Sequence, residues 1–275
     1  MTAILLALGA SLAWGVADFV GPWKARALGA LRVMLWAQFG GLTAITIVVA
    51  IHATRPHDWA LLLAIPAALS GTLGLYAYYR GMAVGAMAVV APIAGASAIV
   101  PVIFGLATGD RPSPAQIAGI ACALLGVGLA SQEHQEGQRQ IASGVGLAIL
   151  AAIGFGFHFP AMHAAGKADA LWASLVFRLA AAAIVLVAVI IRRPPIRVSG
   201  RNLWIVLGVG VGDTLGNVLF AGSASRGLVS LTSVLASLYP VITVALAALT
   251  LKERVASLQR VGIVLTLAGV ALISA

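Results

Sequence analysis

The sequence predicts an all-α membrane protein of ten transmembrane helices, arranged as two inverted five-helix repeats. Three observations carry that expectation. Of 275 residues, 61% are hydrophobic and 9% charged, and mean hydropathy is +1.05; a soluble domain has about 25% charged residues. Uncharged runs of span length recur along the whole chain, and ten of them would use roughly three quarters of it. Motifs of the first half return in the second half in the same order.

The runs are taken in order. Thr2–Gly21 has no basic residue ahead of it, so it reads as a retained span and not as a cleaved signal. Ala30–Ile51 closes at Arg55-Pro-His-Asp58. Trp59–Tyr79 ends on Tyr76, Tyr78 and Tyr79, an aromatic ending suited to a membrane surface. Ala86–Thr108 closes at Asp110-Arg-Pro-Ser-Pro114, and Pro114–Ser131 completes a first unit, residues 1–131. A polar linker, residues 132–143, divides the halves. The second unit, residues 144–275, offers Gly144–Met162, Leu171–Ile191, Leu203–Ala221, Leu228–Leu251 and Ser257–Ser274. Arginines from Arg192 to Arg201 separate the seventh and eighth runs, and Lys252-Glu253-Arg254 ends the ninth.

The ninth run organises the comparison of the halves. Pro240 sits at its middle, where proline removes a helix hydrogen bond; in a membrane the freed carbonyl must face protein or a watery cavity. Pro101-Val-Ile repeats Pro240-Val-Ile. Asp110-Arg111 with Gln116 repeats Glu253-Arg254 with Gln259. Gly119 and Gly126 correspond to Gly262 and Gly269. Thr72-Leu-Gly74 corresponds to Thr214-Leu-Gly216, Trp14-Gly15 to Phe155-Gly156, and Gln38 to Arg178. A repeat of five spans has odd parity, so the second copy enters the membrane upside down. Many secondary transporters are built this way, with the substrate site near the midplane between the halves.

On these motifs the chain resembles the drug/metabolite transporter superfamily, in its ten-helix EamA branch, which includes exporters of aromatic amino acids and other metabolites. The resemblance covers almost the whole chain. The first copy departs from the family pattern: Asp110 stands where the pattern has Glu, and Pro112 and Pro114 crowd the turn. The resemblance implies transport without ATP hydrolysis, of amino acids, other metabolites or drugs; relatives exchange sugar phosphates or nucleotide sugars. It also implies cytoplasmic termini. The charge count favours the reverse, because Lys24, Arg26, Arg139, Arg192, Arg193, Arg197 and Arg201 would then lie outside.

Polar groups inside spans are the informative ones, since charge at the bilayer centre is costly. Trp14 and Asp18 are four apart and share a helix face; Phe155 and His158 are three apart and share another. Trp14, Tyr78, His158 and Tyr239 are the expected substrate-binding residues. Asp18, Arg178, Asp213 and Asn217 are the expected charge or coupling residues, with a structural Arg178–Asp213 pair as the competing reading. Gly208, Gly212 and Gly216 form a stripe for close helix approach. Pro92, Pro101 and Pro240 are hinge positions.

Several classes are excluded or disfavoured. No phosphate-binding Gly-x-x-x-x-Gly-Lys segment exists, so the chain is not its own ATPase. His-Glu-x-x-His and paired cysteines are absent; Cys122 is the single cysteine, and no metal or cofactor is expected. The net charge of +9 is scattered, which suits lipid headgroups and not nucleic acid. The expectation is therefore a monomeric multi-pass protein of the cell membrane, in the manner of a bacterial inner membrane. It exports small amphipathic metabolites, amino acids foremost, by alternating access. The alternatives are a membrane-embedded enzyme acting on lipid-linked substrates and a nucleotide-sugar or sugar-phosphate exchanger.

Overall fold

The computed structural model describes residues 1–52, 55–84, 94–130, 141–251 and 257–274. All regular structure among them is helical. Helix α1 (Thr2–Leu28) meets α2 (Ala30–His52) at Gly29, whose φ of 89° is one that side-chain-bearing residues rarely adopt. A 3-10 turn, Trp59–Leu63, is capped by the Asp58 carboxylate, which accepts from Ala60 N–H, and leads into α3 (Ala64–Val84). A second 3-10 turn, Ala96–Ala98, precedes α4 (Ile99–Ala107), and α5 spans Pro114–Ala130. The second half contains α6 (Ile141–Ala168), α7 (Ala170–Arg192), α8 (Arg201–Ala224), α9 (Val229–Ala236), α10 (Tyr239–Leu251) and α11 (Ser257–Ser274).

Among the described residues, six stretches are long and apolar enough to cross a membrane: Thr2–Leu28, Ala30–His52, Trp59–Met82, Gly146–Ala168, Ala170–Arg192 and Arg201–Ala224. Ala96–Ala107, Pro114–Leu129, Val229–Thr243 and Arg260–Ile273 are shorter apolar helical stretches. Helices α1, α3 and α6 end beyond the sequence expectation, α3 at Val84 and not Tyr79. Helix α1 continues through Pro22 to Leu28, and α6 through Pro160 to Ala168. Each proline denies one carbonyl its helical donor, that of Asp18 or Gly156 four residues earlier. Neighbouring helices tolerate this in a membrane setting. The ninth run is two helices, not one. It breaks at Ser237 and Leu238, so Pro240 lies in the first turn of α10, where a missing N–H costs no bond. Pro101 likewise lies in the first turn of α4, just after a 3-10 turn. Pro92, the polar linker up to Gln140 and Lys252-Glu253-Arg254 lie outside the described residues.

The halves pack reciprocally. Gly216 of α8 lies against the Trp14 indole of α1; its counterpart Gly74 of α3 lies against Phe155 of α6. Gly15 abuts the Tyr239 carbonyl and Ile242, while Gly156 abuts the Ser97 carbonyl and Val100. Gly119 meets Gly269 and Gly126 meets Gly262, so α5 and α11 run antiparallel. Glycine at these positions brings backbones together where a side chain would hold them apart. The expected glycine stripe of α8 is only partly used: Gly212 and Gly216 face α1, but nothing approaches Gly208. Gly210, two residues off the stripe, packs against the Ala37 carbonyl instead.

The two ends of the bundle are defined by their ties. At one end Lys24 Nζ donates to Asn202 Oδ1 (2.8 Å), Arg32 Nε to the Pro195 carbonyl (2.5 Å) and Trp36 Nε1 to the Ile196 carbonyl (2.8 Å). At the other, Gly227 sits beside Ala3, and His163 Nε2 lies 3.2 Å from the Gly227 carbonyl. There the Asp110 carboxylate accepts from Ser230 N–H and Oγ–H at 2.8 and 2.7 Å, capping α9. Helix α1 thus starts at the Gly227 end, whereas α6 finishes there, with Gly166 against Ala221. The first helices of the two halves run in opposite directions. One buried apolar cluster, with Ala7, Met162 and Leu231, lies toward the Gly227 end; another, with Ala25, Met34 and Val189, lies toward the Asn202 end.

Candidate functional site

Between the two apolar clusters the interior turns polar. A cavity of about 60 Å³ opens there, room for a few water molecules. Seven helices wall it. Helix α1 contributes Trp14 and Asp18, one turn apart on one face, and α2 contributes Gln38. Gly71, Thr72 and Leu75 come from α3, and Phe155, His158 and Phe159 from α6. Phe177 and Arg178 of α7, Asp213 and Asn217 of α8, and Tyr239 at the start of α10 complete it.

One wall is charged. The Arg178 guanidinium, only 2% exposed, makes an ion pair with Asp213 Oδ2 at 2.5 Å and donates through Nη1 to Gln38 Oε1 at 3.0 Å. Gln38 and Arg178, which the sequence motifs pair with each other, are in direct contact. Gly41 lies beside Arg178 Nε and leaves room for it. The Asp213 carbonyl accepts from Trp14 Nε1 (3.2 Å) and from Asn217 Nδ2 (2.8 Å). Asp213 therefore fixes an aromatic wall residue as well as the guanidinium. Asp18 is buried, at 8% exposure. It lines this cavity and a smaller adjoining one that Asp213 and Arg178 share. Among the described residues it forms no ion pair. Two carboxylates therefore face one guanidinium, and only one of them is paired.

The opposite wall is aromatic. Trp14 stands edge-on to His158 and to Phe159, ring centroids 6.0 Å apart in both pairs, and His158 packs on Phe177 at 5.2 Å. Such edge-to-face contacts fix ring orientation. The His158 ring is seated against Gly71, with Nδ1 3.4 Å from the Ala67 carbonyl. Phe155 stands edge-on to Tyr239 at 6.4 Å. Two buried polar atoms on these walls have no hydrogen-bond partner among the described residues: Arg178 Nε and Asn217 Oδ1. Orphans of this kind mark places where water or a solute completes the bonding.

Of the residues singled out by sequence, Trp14, Asp18, His158, Arg178, Asp213, Asn217 and Tyr239 meet at this one cavity. Tyr78 does not line it. It is 1% exposed and stands one ring behind the wall, packed on Phe155 at 5.9 Å and on Tyr79. Pro101 and Pro240 border the breaks beside it, and Pro92 lies outside the described residues. Gln38, already conspicuous as a polar group in a span, belongs to the charged wall. Phe159, Phe177 and Thr72 are wall residues that sequence reasoning passed over. Phe177 had a signal: the inward stripe Ser174, Phe177, Arg178, Ala181, Val185 of α7 carries it beside the arginine. Among the described residues no group of three metal-ligating side chains gathers anywhere, and Cys122 is a half-buried free thiol.

A model of the EamA-like transporter family matches residues 1–132 and again residues 142–275. One solved crystal structure superposes with a TM-score of 0.81 at 18% identity, covering 98% of this chain and 95% of that one. At that identity the likeness speaks for the fold alone. No curated protein matches the chain.

Proposed function

The chain belongs to the EamA-like transporter family, and we propose that it is a secondary exporter of small amphipathic metabolites, amino acids foremost, working by alternating access in ten spans. The observation that carries this reading is the cavity itself. It is buried between the halves, aromatic on one side and charged on the other, with one carboxylate left without a counter-ion. An amphipathic solute matches both walls: its apolar part against Trp14, Phe155 and Tyr239, its ammonium against Asp18. A cation over an aromatic face gains further attraction. A sugar phosphate or nucleotide sugar fits less well, because Arg178, the cavity's one guanidinium, is already held by Asp213 and Gln38.

The two halves are read as an inverted repeat, residues 1–131 and 144–275. Support comes from the reciprocal glycine contacts and from the opposite directions of α1 and α6. Such halves can rock about a central site and expose it to each face in turn. The breaks before Pro101 and Pro240, one in each half, are the proposed hinges. The protein is read as a monomer in the cell membrane. Purified protein in liposomes, without nucleotide, is expected to exchange radiolabelled aromatic amino acids across the bilayer. Asp18→Asn is expected to abolish exchange while leaving the protein folded. Exchange that is unchanged in Asp18→Asn overturns the assigned role of that carboxylate.

A further inference from the structure

The charges at the two ends of the bundle are unequal in a way the linear sequence conceals. At the end where the α1–α2 corner meets the α7–α8 connection, Lys24 and Arg26 close α1, Arg32 opens α2 and Arg80 stands near the end of α3. Arg192, Arg193, Arg197 and Arg201 run through the α7–α8 connection, and Arg260 opens α11. Packing fixes their common level. Ala25, Val33, Tyr79, Met82 and Val189 form one buried cluster, and the antiparallel contacts of α5 with α11 bring Arg260 to the same end. No Asp or Glu accompanies them among the described residues. At the Gly227 end the basic residues are Arg55, Arg111, Lys167 and Arg226, offset by Asp58, Asp110 and Asp169. Outside the described residues the sequence carries Arg139, Lys252 and Arg254 together with Glu133, Glu136 and Glu253.

We infer that the Arg-rich end is a docking surface for the phosphate headgroups of anionic lipids in the cytoplasmic leaflet, with the Gly227 end and Met1 on the opposite side of the membrane. The warrant is physical. Basic residues in short connections resist transfer across the membrane, and acidic ones contribute little to orientation. The cytoplasmic leaflet carries the anionic lipid that attracts them. Most of these side chains are exposed, so they reach headgroups without rearrangement. Trp23, 51% exposed beside Lys24, and Trp204, 75% exposed after Arg201, sit where interfacial tryptophans anchor a span. This orientation is the reverse of the one implied by the family resemblance. It is independent of the solute carried, and it stands or falls separately from the carrier reading.

The test is labelling from one side. Single cysteines are placed at His57, in the connection at the Gly227 end, and at Ser199, in the α7–α8 connection, with Cys122 replaced by serine or, if that variant fails to accumulate, by alanine. Intact cells making the full chain are treated with a membrane-impermeant maleimide, before and after permeabilisation. His57→Cys is expected to label in intact cells, and Ser199→Cys only after permeabilisation. Labelling of Ser199→Cys in intact cells, whether alone or equal to that of His57→Cys, overturns the inference. The lipid contact has its own readout. Purified protein in phosphatidylglycerol discs is expected to melt higher than in phosphatidylcholine discs. That difference is expected to be lost when Arg192, Arg193, Arg197 and Arg201 become glutamine. A difference that survives the four substitutions overturns the assigned surface.

Discussion

At the scale of single residues, the charged wall separates a structural carboxylate from a functional one. Arg178 is 2% exposed and its charge is met by Asp213. Removing one partner of a buried pair leaves an uncompensated charge, at a cost of about 3–5 kcal/mol. Asp213→Ala is therefore expected to lower the unfolding midpoint in detergent far more than Asp18→Asn, which removes an acid that no cation holds. Equal losses in a melting experiment would contradict the division of roles. A second contrast concerns Trp14. A Cβ on Gly216 would come within about 2.9 Å of three indole atoms, and overpacking of this kind costs about 1–3 kcal/mol. Gly216→Ala is expected to depress transport as Trp14→Ala does. Gly208→Ala, with nothing near it, is expected to match the unsubstituted protein. Matched membrane amounts and initial rates make the comparison; normal rates in Gly216→Ala would remove the seat assigned to the indole. Much at this scale was legible in the sequence. Polar residues inside apolar runs have to face protein or water, and a four-residue spacing put Trp14 and Asp18 on one face. Tyr78 was not legible, because helical period gives direction but not depth, and Phe155 stands in front of it.

At the scale of elements, the departures from expectation lie where proline and helix ends meet. A soluble helix is expected to stop near Pro22 or Pro160, yet α1 and α6 run on past them. The break in the ninth run falls before Pro240 and not at it, for the same reason that proline suits a first turn. Sequence supplied the position of the disturbance but not its form. Helix α9 shows what holds such a short element. It has eight residues, too few to persist on its own helix propensity, and its N-terminus is capped across the halves by Asp110. Loss of a carboxylate cap costs about 0.5–2 kcal/mol. Asp110→Ala is expected to speed hydrogen exchange at the amides of residues 229 to 232, with Ser230→Ala giving a smaller change because the backbone bond remains. Unchanged exchange in Asp110→Ala would show that α9 is held by packing alone.

At the scale of the whole molecule, the duplication visible in the sequence reappears as paired contacts: Gly74 with Phe155 and Gly216 with Trp14, Gly119 with Gly269 and Gly126 with Gly262. Residues that correspond in sequence make corresponding contacts in space, and Gln38 and Arg178 bond to each other where the halves meet. The cavity belongs to neither half alone, which is why composition announced a membrane protein while the identity of the solute stayed hidden; wall chemistry appears only when seven helices converge. The central claim is that this cavity binds a solute and carries it across. Counterflow in proteoliposomes tests it most directly: vesicles loaded with unlabelled tryptophan or phenylalanine, then given a trace of the labelled compound outside, without nucleotide. The account predicts transient accumulation of label above its external concentration, saturable and lost in Asp18→Asn. Label that only equilibrates, at a rate linear in concentration and indifferent to the internal load, would contradict a carrier.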